Sequence, residues 1–98
     1  MDKEQVIELA RTYKEVISKK IPVTELFLYG SYSKGNYNDD SDVDIAVIVD
    51  KLSDNYLEDA TFLWRTSREI NSLIEPVLLT ADSVSPLYYD IKNTGIRI

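Results

Sequence analysis

The chain contains a pair of aspartates with a spacing that a β-strand can turn into a metal site. Asp42 and Asp44 open a run dense in β-branched residues, 42–49, which predicts a central strand. Side chains alternate along a strand, so both carboxylates point to one side, about 7 Å apart along the backbone. Neighbouring carboxylates repel each other unless a cation lies between them. The pair therefore predicts an oxygen-only site for a hard divalent ion, Mg²⁺ or Mn²⁺.

A glycine–serine pair precedes the aspartates and follows a short apolar run. Residues 25–29 predict a strand buried on both faces, and Gly30 lets the backbone turn so that its amides can approach a ligand closely. A helical turn beginning at Ser31 would present unpaired N–H groups to an anion, phosphate above all. We therefore predict that Gly30 and Ser31 bind phosphate. Lys34 is a further candidate for a phosphate contact, with a solvated loop charge as the alternative.

A phosphate-binding turn beside a metal-binding pair of aspartates is the arrangement required for phosphoryl-type transfer from a nucleoside triphosphate. Two-metal versions need a further carboxylate near the attacking oxygen. Glu75 is the preferred candidate because it opens an apolar strand, predicted over 75–80, and can face the same end of the sheet as the aspartates. The alternative for Glu75 is an exposed acid before a proline. The other acids considered for this role are Asp39, Asp40, Asp50, Glu69 and Asp82.

The elements that must position these residues alternate between helices and strands. Apolar residues at helical spacing predict helices over 3–20 and 53–72, and the tail predicts a short helix over 85–95. Pro76 cannot donate to a ladder, so its strand should place it at a start or on a sheet edge. This order implies an α/β (α+β) fold with a small mixed β-sheet packed by helices, in a single domain over 1–98.

Candidate core positions follow from the same helical spacing. Two loop tyrosines, Tyr32 and Tyr37, are expected to be exposed to solvent. The positions expected to face the core are Val6, Leu9, Tyr13, Val16 and Ile17 in the first helix, and Leu57, Ala60, Leu63, Trp64 and Ile70 in the second.

Composition narrows the classes of function. The 98 residues include 11 Lys and Arg against 17 Asp and Glu, for a formal net charge of -6. This balance disfavours direct binding to nucleic acid or to an anionic membrane. The chain has no Cys and no His, which excludes disulfides, thiolate metal sites and a histidine base. No apolar run approaches the roughly 20 residues of a membrane span, so a cytoplasmic location is expected.

The two motifs together resemble a known family. Residues 30–35, Gly-Ser-Tyr-Ser-Lys-Gly, followed by residues 41–47, Ser-Asp-Val-Asp-Ile-Ala-Val, are similar to the signature of the minimal nucleotidyltransferases of the DNA polymerase beta superfamily. Either half alone is a weak signal, whereas the combination is specific. The resemblance covers most of the chain and implies a polymerase-beta-type nucleotidyltransferase fold.

The resemblance also implies roles for individual residues. Gly30 and Ser31 would bind the triphosphate of ATP or another NTP, Asp42 and Asp44 the metal, and Glu75 would be the third acid. Small stand-alone members frequently pair with a HEPN-type protein as an antitoxin that transfers AMP onto its partner. The resemblance thus implies transfer of AMP to a hydroxyl of a HEPN-like toxin; a homo-oligomer would be the other source of an acceptor.

Two other functions stay open at this point. The chain could be a non-catalytic antitoxin or regulatory binding subunit that neutralises a basic partner through its acidic surface. A fragment of a nucleic-acid polymerase is the third possibility, and the negative charge disfavours it. Within 98 residues there is little room for a separate acceptor-binding domain, so we expect a partner to supply the acceptor.

Overall fold

The computed structural model describes residues 1–82 and 85–98. Within them, helices and strands follow the predicted alternation, so the expected α+β class is confirmed. No helix in the described part of the chain is long and apolar enough to cross a membrane. The elements are α1 Lys3–Ser18, β1 Glu25–Tyr29, α2 Ser31–Lys34, β2 Val43–Val49, α3 Tyr56–Ile70, β3 Ile74–Thr80, α4 Pro86–Thr94 and β4 Ile96–Arg97.

The described strands form a mixed sheet in the order β3-β2-β1-β4. β1 runs antiparallel to β2 and to β4, whereas β2 and β3 are parallel. β3 therefore lies at an edge, where the missing N–H of Pro76 is tolerated, as the sequence predicted. The α3 helix makes the crossover connection that parallel pairing of β2 with β3 requires.

The sheet buries its two faces against different helices. One face packs against α1 and α3 and contains most of the core, including Val43, Ile45 and Val47. The opposite face, here called the α4 face, consists of Phe27, Ala46 and Ile48 packed against Ile91 of α4, with Tyr29, Val77 and Leu79 at its margin. Because side chains alternate along each strand, even-numbered residues of β2 lie on the α4 face.

Polar groups fix the ends and the mutual position of the helices. Asp2 caps α1 in a capping box with Gln5, in which each side chain bonds the other's backbone N–H. The Tyr13 hydroxyl donates to the Leu63 carbonyl oxygen at 2.8 Å and joins α1 to α3 inside the core. The Gly95 N–H donates to the Ile91 carbonyl at 2.8 Å and ends α4.

The predicted buried face of α3 is wrong at three of its five positions, whereas Ile70 is partly buried and packs against the core. Leu63 is buried as expected, but Leu57 is 68% exposed and Trp64 48% exposed, and Ala60 is exposed as well. The residues that join Leu63 in the interior are small and polar, Thr66 and Ser67. Leu57 and Trp64 therefore lie on the outer surface of the helix, whereas Phe62 and Ile70 are partly buried and pack against the core.

The remaining comparisons with the predicted elements concern α1, α2 and β4. In α1, Val6, Tyr13 and Ile17 are buried as predicted, whereas Val16 is 36% exposed. The helical turn considered at Ser31 is present as the four-residue helix α2. β4 was not predicted, because two residues cannot show an alternating pattern; its partner is β1.

Candidate functional site

Three neighbouring strands place a tyrosine and two acids side by side on the α4 face. Tyr29 of β1 pairs in register with Asp44 of β2, and Asp44 pairs in register with Glu75 of β3. Register partners on one face have β-carbons about 5 Å apart. Asp42 precedes Asp44 by two residues and so faces the same side. We call Asp42, Asp44 and Glu75 the acidic row.

The acidic row lies at a rim of the sheet that solvent can reach. Asp42 is exposed, Asp44 is half-buried, and the Glu75 side chain is 42% exposed. The apolar contacts of α4 on this face lie further along the strands, at Phe27, Ala46 and Ile48. A ligand can therefore approach the three carboxylates from outside.

The environment of Asp44 disfavours its charged form. Burial raises the pKa of the Asp44 carboxyl above its ordinary value, and the nearby carboxylates of Asp42 and Glu75 raise the pKa further. Tyr29 is affected in a similar way: burial raises the pKa of its phenol, and the neighbouring Asp44 and Glu75 raise it further. A bound cation would reverse the effect of this crowding on Asp44.

The turn between β1 and α2 contacts the acidic row directly. Gly30 has φ 72° and ψ -142°, a conformation that favours glycine. A β-carbon at this position would overlap Asp44 Oδ2 and would lie 3.2 Å from the Asp44 carboxyl carbon. Backbone at Gly30 and the Asp44 carboxylate are thus in van der Waals contact, which the sequence alone could not establish.

The α2 helix begins immediately after this contact. Its first amides, beginning at Ser31, have no acceptor within the helix because no preceding turn exists. The Ser33 hydroxyl donates to the Gly30 carbonyl oxygen at 3.0 Å, and Gly35 ends the helix in the left-handed conformation, with φ 83°. Ser31 is partly exposed and directly follows the glycine that contacts Asp44.

The interior side of α2 is held by an aromatic pair. Tyr32 is fully buried, stacks on Tyr37 with ring centroids 4.5 Å apart, and donates its hydroxyl to the Met1 carbonyl oxygen at 3.2 Å. The expectation that Tyr32 is an exposed loop aromatic is therefore wrong, because its ring fills the core beneath the turn. Tyr37 is partly exposed.

Lys34 reaches α4 rather than the acidic row. Its Nζ lies 3.2 Å from Asp90 Oδ2, and the two side chains are 47% and 44% exposed. The other acids considered from the sequence lie away from the row: Asp50 follows the opposite end of β2, and Asp39 and Asp40 lie in the loop before β2. Glu69 is exposed on α3, and Asp82 follows β3.

Two residues near the acidic row were not identified from the sequence. Tyr29 comes directly before the glycine turn, and its place beside Asp44 depends on the β1–β2 register. Arg68 of α3 lies with its Nη2 3.9 Å from Glu75 Oε1. Strand alternation could have suggested Tyr29, whereas no spacing in the sequence indicates that Arg68 reaches Glu75.

The donor atoms of the acidic row fit a divalent ion that shares its coordination with a ligand. Among residues 1–82 and 85–98, no three acidic side chains are close enough to enclose an ion by themselves. Mg²⁺ usually takes one or two protein carboxylates and completes its shell with water and substrate phosphates. Asp42, which is exposed, and Asp44, which is half-buried, match that arrangement.

A family model for the nucleotidyltransferase domain matches residues 10–94. The chain belongs to the nucleotidyltransferase domain family. The match spans both motifs and the acidic row, and it identifies the chain as a nucleotidyltransferase, a class that generally uses an NTP donor and a divalent metal.

Relatives of known sequence and structure agree with the family. The "putative protein adenylyltransferase MJ0141" of Methanocaldococcus jannaschii is 25% identical over 96% of this chain and 99% of its own length. A "putative nucleotidyltransferase from Sulfolobus solfataricus" is 20% identical, with a TM-score of 0.69 over 97% of this chain and 80% of that one. A toxin–antitoxin crystal structure with AMP-PNP contains a chain 23% identical, with a TM-score of 0.60 over 99% of this chain and 72% of that one. The predicted nucleotidyltransferase fold is thereby confirmed.

Proposed function

We propose that this nucleotidyltransferase moves AMP from ATP to a hydroxyl of a partner protein, with a divalent metal ion bound at the acidic row. The observation that carries the proposal is the contact between Gly30 and Asp44. In the reaction the acceptor oxygen bonds to the α-phosphorus of ATP, and the bond to the bridging oxygen of pyrophosphate breaks. Pyrophosphate leaves, and the hydroxyl proton passes to a base.

The proposed roles follow from position. Asp42 and Asp44 hold Mg²⁺ or Mn²⁺, which when bound neutralises charge on the transferring phosphoryl group and orients it. Gly30 allows the backbone to lie close to the phosphates, and the Ser31 amide and hydroxyl donate to phosphate oxygens. Because Gly30 contacts Asp44, a single triphosphate can reach both the backbone of the turn and the metal ion, which supports these roles.

Glu75 and Lys34 have more peripheral roles in the proposal. Glu75 lies beside Asp44 on the same face, where its carboxylate orients the attacking hydroxyl and accepts its proton. Lys34 contacts the distal phosphates. Its ion pair with Asp90 joins two half-exposed side chains, and such pairs are weak enough for a triphosphate to compete.

The names of the relatives support a protein acceptor. The Methanocaldococcus jannaschii relative is named as a protein adenylyltransferase, and the toxin–antitoxin structure contains an analogue of ATP. We therefore propose ATP as the donor and a HEPN-like toxin as the partner, modified on a hydroxyl. Residues 1–98 would act as one nucleotidyltransferase domain within that pair.

A decisive experiment incubates the purified chain with Mg²⁺, each NTP in turn and the product of the neighbouring gene, and measures intact masses. We expect the partner to gain the mass of AMP from ATP. Asp44→Asn should abolish the gain because it removes a metal ligand. Asp50→Asn is the matched control, since it removes an exposed acid from the opposite end of β2 and should transfer normally.

Two results would contradict the proposal. One is a wild-type chain that modifies neither the partner nor itself with any NTP, and the other is full activity of Asp44→Asn. If the partner binds unmodified, and still binds when Asp42 and Asp44 are both replaced by alanine, the chain is a non-catalytic binding subunit. The net charge of -6 is the observation that favours this alternative.

A further inference from the structure

The guanidinium of Arg68 connects α3 to the first residues of edge strand β3. Its Nη2 donates to the Ile74 carbonyl oxygen, and its Nε donates to Ser67 Oγ at 3.2 Å. Its carbon Cζ lies 4.1 Å from the centroid of the Trp64 ring, in a cation–π contact. The Arg68 side chain is only 31% exposed, so these contacts fix the guanidinium from several sides.

This fixed guanidinium also contacts the acidic row. Arg68 Nη2 lies 3.9 Å from Glu75 Oε1, and Glu75 is the register partner of Asp44. Ile74, whose carbonyl accepts from the same nitrogen, directly precedes Glu75 in the chain. A single nitrogen therefore bonds the backbone on which Glu75 is mounted and attracts the Glu75 carboxylate.

The strength of the ion pair does not explain these contacts. Both partners are partly exposed, and ion pairs of that kind add little to stability. The orientation of the Glu75 side chain explains them better, because a carboxylate that receives a proton in the transition state must be held close to the reacting oxygen. Arg68 is already held by Trp64, Ser67 and Ile74, so it can restrict Glu75 without itself losing much freedom.

The exposed Trp64 lies with its ring against this guanidinium. Its ring is 48% exposed and covers the outer side of the guanidinium. The side of α3 that packs against the core contains Leu63, Thr66 and Ser67 together with the partly buried Phe62 and Ile70, so Trp64 is not needed there.

We propose that Arg68 is a positioning residue that holds the Glu75 carboxylate toward the acceptor hydroxyl, with Trp64 as its support. This inference rests on the proposed function, in which Glu75 is the third carboxylate. A merely structural Arg68 would tie the end of α3 to β3 and would affect stability without acting through Glu75.

The test is a double-mutant cycle between Arg68→Met and Glu75→Gln. Methionine keeps an unbranched apolar stem against Trp64 and removes the charge. Rates are measured with ATP and Mg²⁺ as pyrophosphate released, using the protein acceptor identified by intact mass and, in parallel, water. Arg68→Met should lower kcat about tenfold and leave KM for ATP within about twofold. In the Glu75→Gln background the same change should have almost no effect on kcat.

Two further variants separate positioning from stability. Arg68→Lys keeps a positive charge and should recover part of the lost kcat. Arg65→Met removes an exposed arginine from the same helix and should leave kcat unchanged. Thermal melting of each variant identifies any loss that comes from unfolding. A second readout, the Glu75 side-chain carboxyl ¹³C resonance, should move in Arg68→Met and stay in place in Arg65→Met.

The outcomes distinguish this inference from the proposed function. An unmoved Glu75 resonance, or an equal loss of kcat from Arg68→Met with and without the Glu75 carboxylate, overturns the role of Arg68 in an enzyme that still transfers AMP. A wild-type chain that releases no pyrophosphate contradicts the proposed function itself and removes the basis for the role of Arg68.

Discussion

Gly30 and Asp44 are so close that a single methyl group on Gly30 would occupy the space of the Asp44 carboxylate. Gly30 directly follows β1, and the antiparallel β1–β2 pairing sets the preceding residue, Tyr29, opposite Asp44. The turn predicted to bind phosphate and the aspartate pair predicted to bind a metal ion thus lie side by side. A glycine is required there by its positive φ and by this contact.

Gly30→Ala should therefore inactivate the enzyme and destabilise it. The positive φ costs about 1 to 3 kcal/mol for a residue with a side chain, and the new methyl group displaces the Asp44 carboxylate. Gly35→Ala is the matched control, because Gly35 has a similar φ of 83° and no atom near its added β-carbon. It should lose only the cost of the strained φ and keep its activity. Urea unfolding and AMP transfer measure the two effects; equal activity losses at both positions would contradict the contact.

Asp44→Asn should stabilise the metal-free protein, increasingly so as the pH rises. The folded protein raises the pKa of Asp44 above its ordinary value of 3.8, so the folded state keeps this proton to a higher pH than the unfolded chain does. Its stabilising contribution is complete below the unfolded pKa and disappears as the pH rises through the folded pKa. An asparagine side chain does not ionise, so this loss of stability does not occur in the variant as the pH rises through this range.

The measurement is thermal melting of the wild type and Asp44→Asn from acid to neutral pH in a chelator. Mg²⁺ should raise the melting temperature of the wild type at neutral pH and leave that of Asp44→Asn unchanged. Asp50→Asn, which removes the same charge from the other end of β2, tests whether net charge alone explains the difference. A wild type that is more stable than Asp44→Asn at neutral pH without metal would contradict the crowding of the acidic row.

Tyr29 should report the charge state of the acidic row. Burial, Asp44 and Glu75 raise the pKa of its phenol, so neutralising either acid should make Tyr29 ionise at lower pH. Both Asp44→Asn and Glu75→Gln should therefore move its titration downward, followed through the tyrosine ζ-carbon in NMR. The shift should be partial, because burial is the largest cause and persists. If neither variant moves the titration, Tyr29 does not lie beside these carboxylates.

Much of the site could be predicted because its signals are local. Gly30 and Ser31 are adjacent, and Asp42 and Asp44 are separated by one residue, so strand alternation alone puts both carboxylates on one face. The placement of Pro76 on an edge strand likewise follows from its missing donor. Such inferences need only the chain on either side of each residue.

The parts of the fold and of the candidate site that were not predicted depend on pairing and packing between distant segments of the chain. The position of Tyr29 requires the β1–β2 register, and that of Arg68 requires the packing of α3 beside β3. The error over Trp64 has a related cause: helical spacing assigned this residue to the buried face of α3, whereas its ring covers a guanidinium on the surface. No periodicity in the sequence encodes these partners.

Lys34 can be assigned by comparing it with its ion-pair partner. If it contacts the distal phosphates, Lys34→Met should raise KM for ATP about fivefold, the size expected for one exposed charge contact. Asp90→Asn releases the ammonium group from its present partner at 3.2 Å, so it should leave KM unchanged or lower it. Both variants break the same ion pair, hence both should have similarly small effects on the melting temperature. An equal rise of KM in the two variants would mean that the Lys34–Asp90 pair acts by fixing α2 against α4, and that the lysine does not touch the nucleotide.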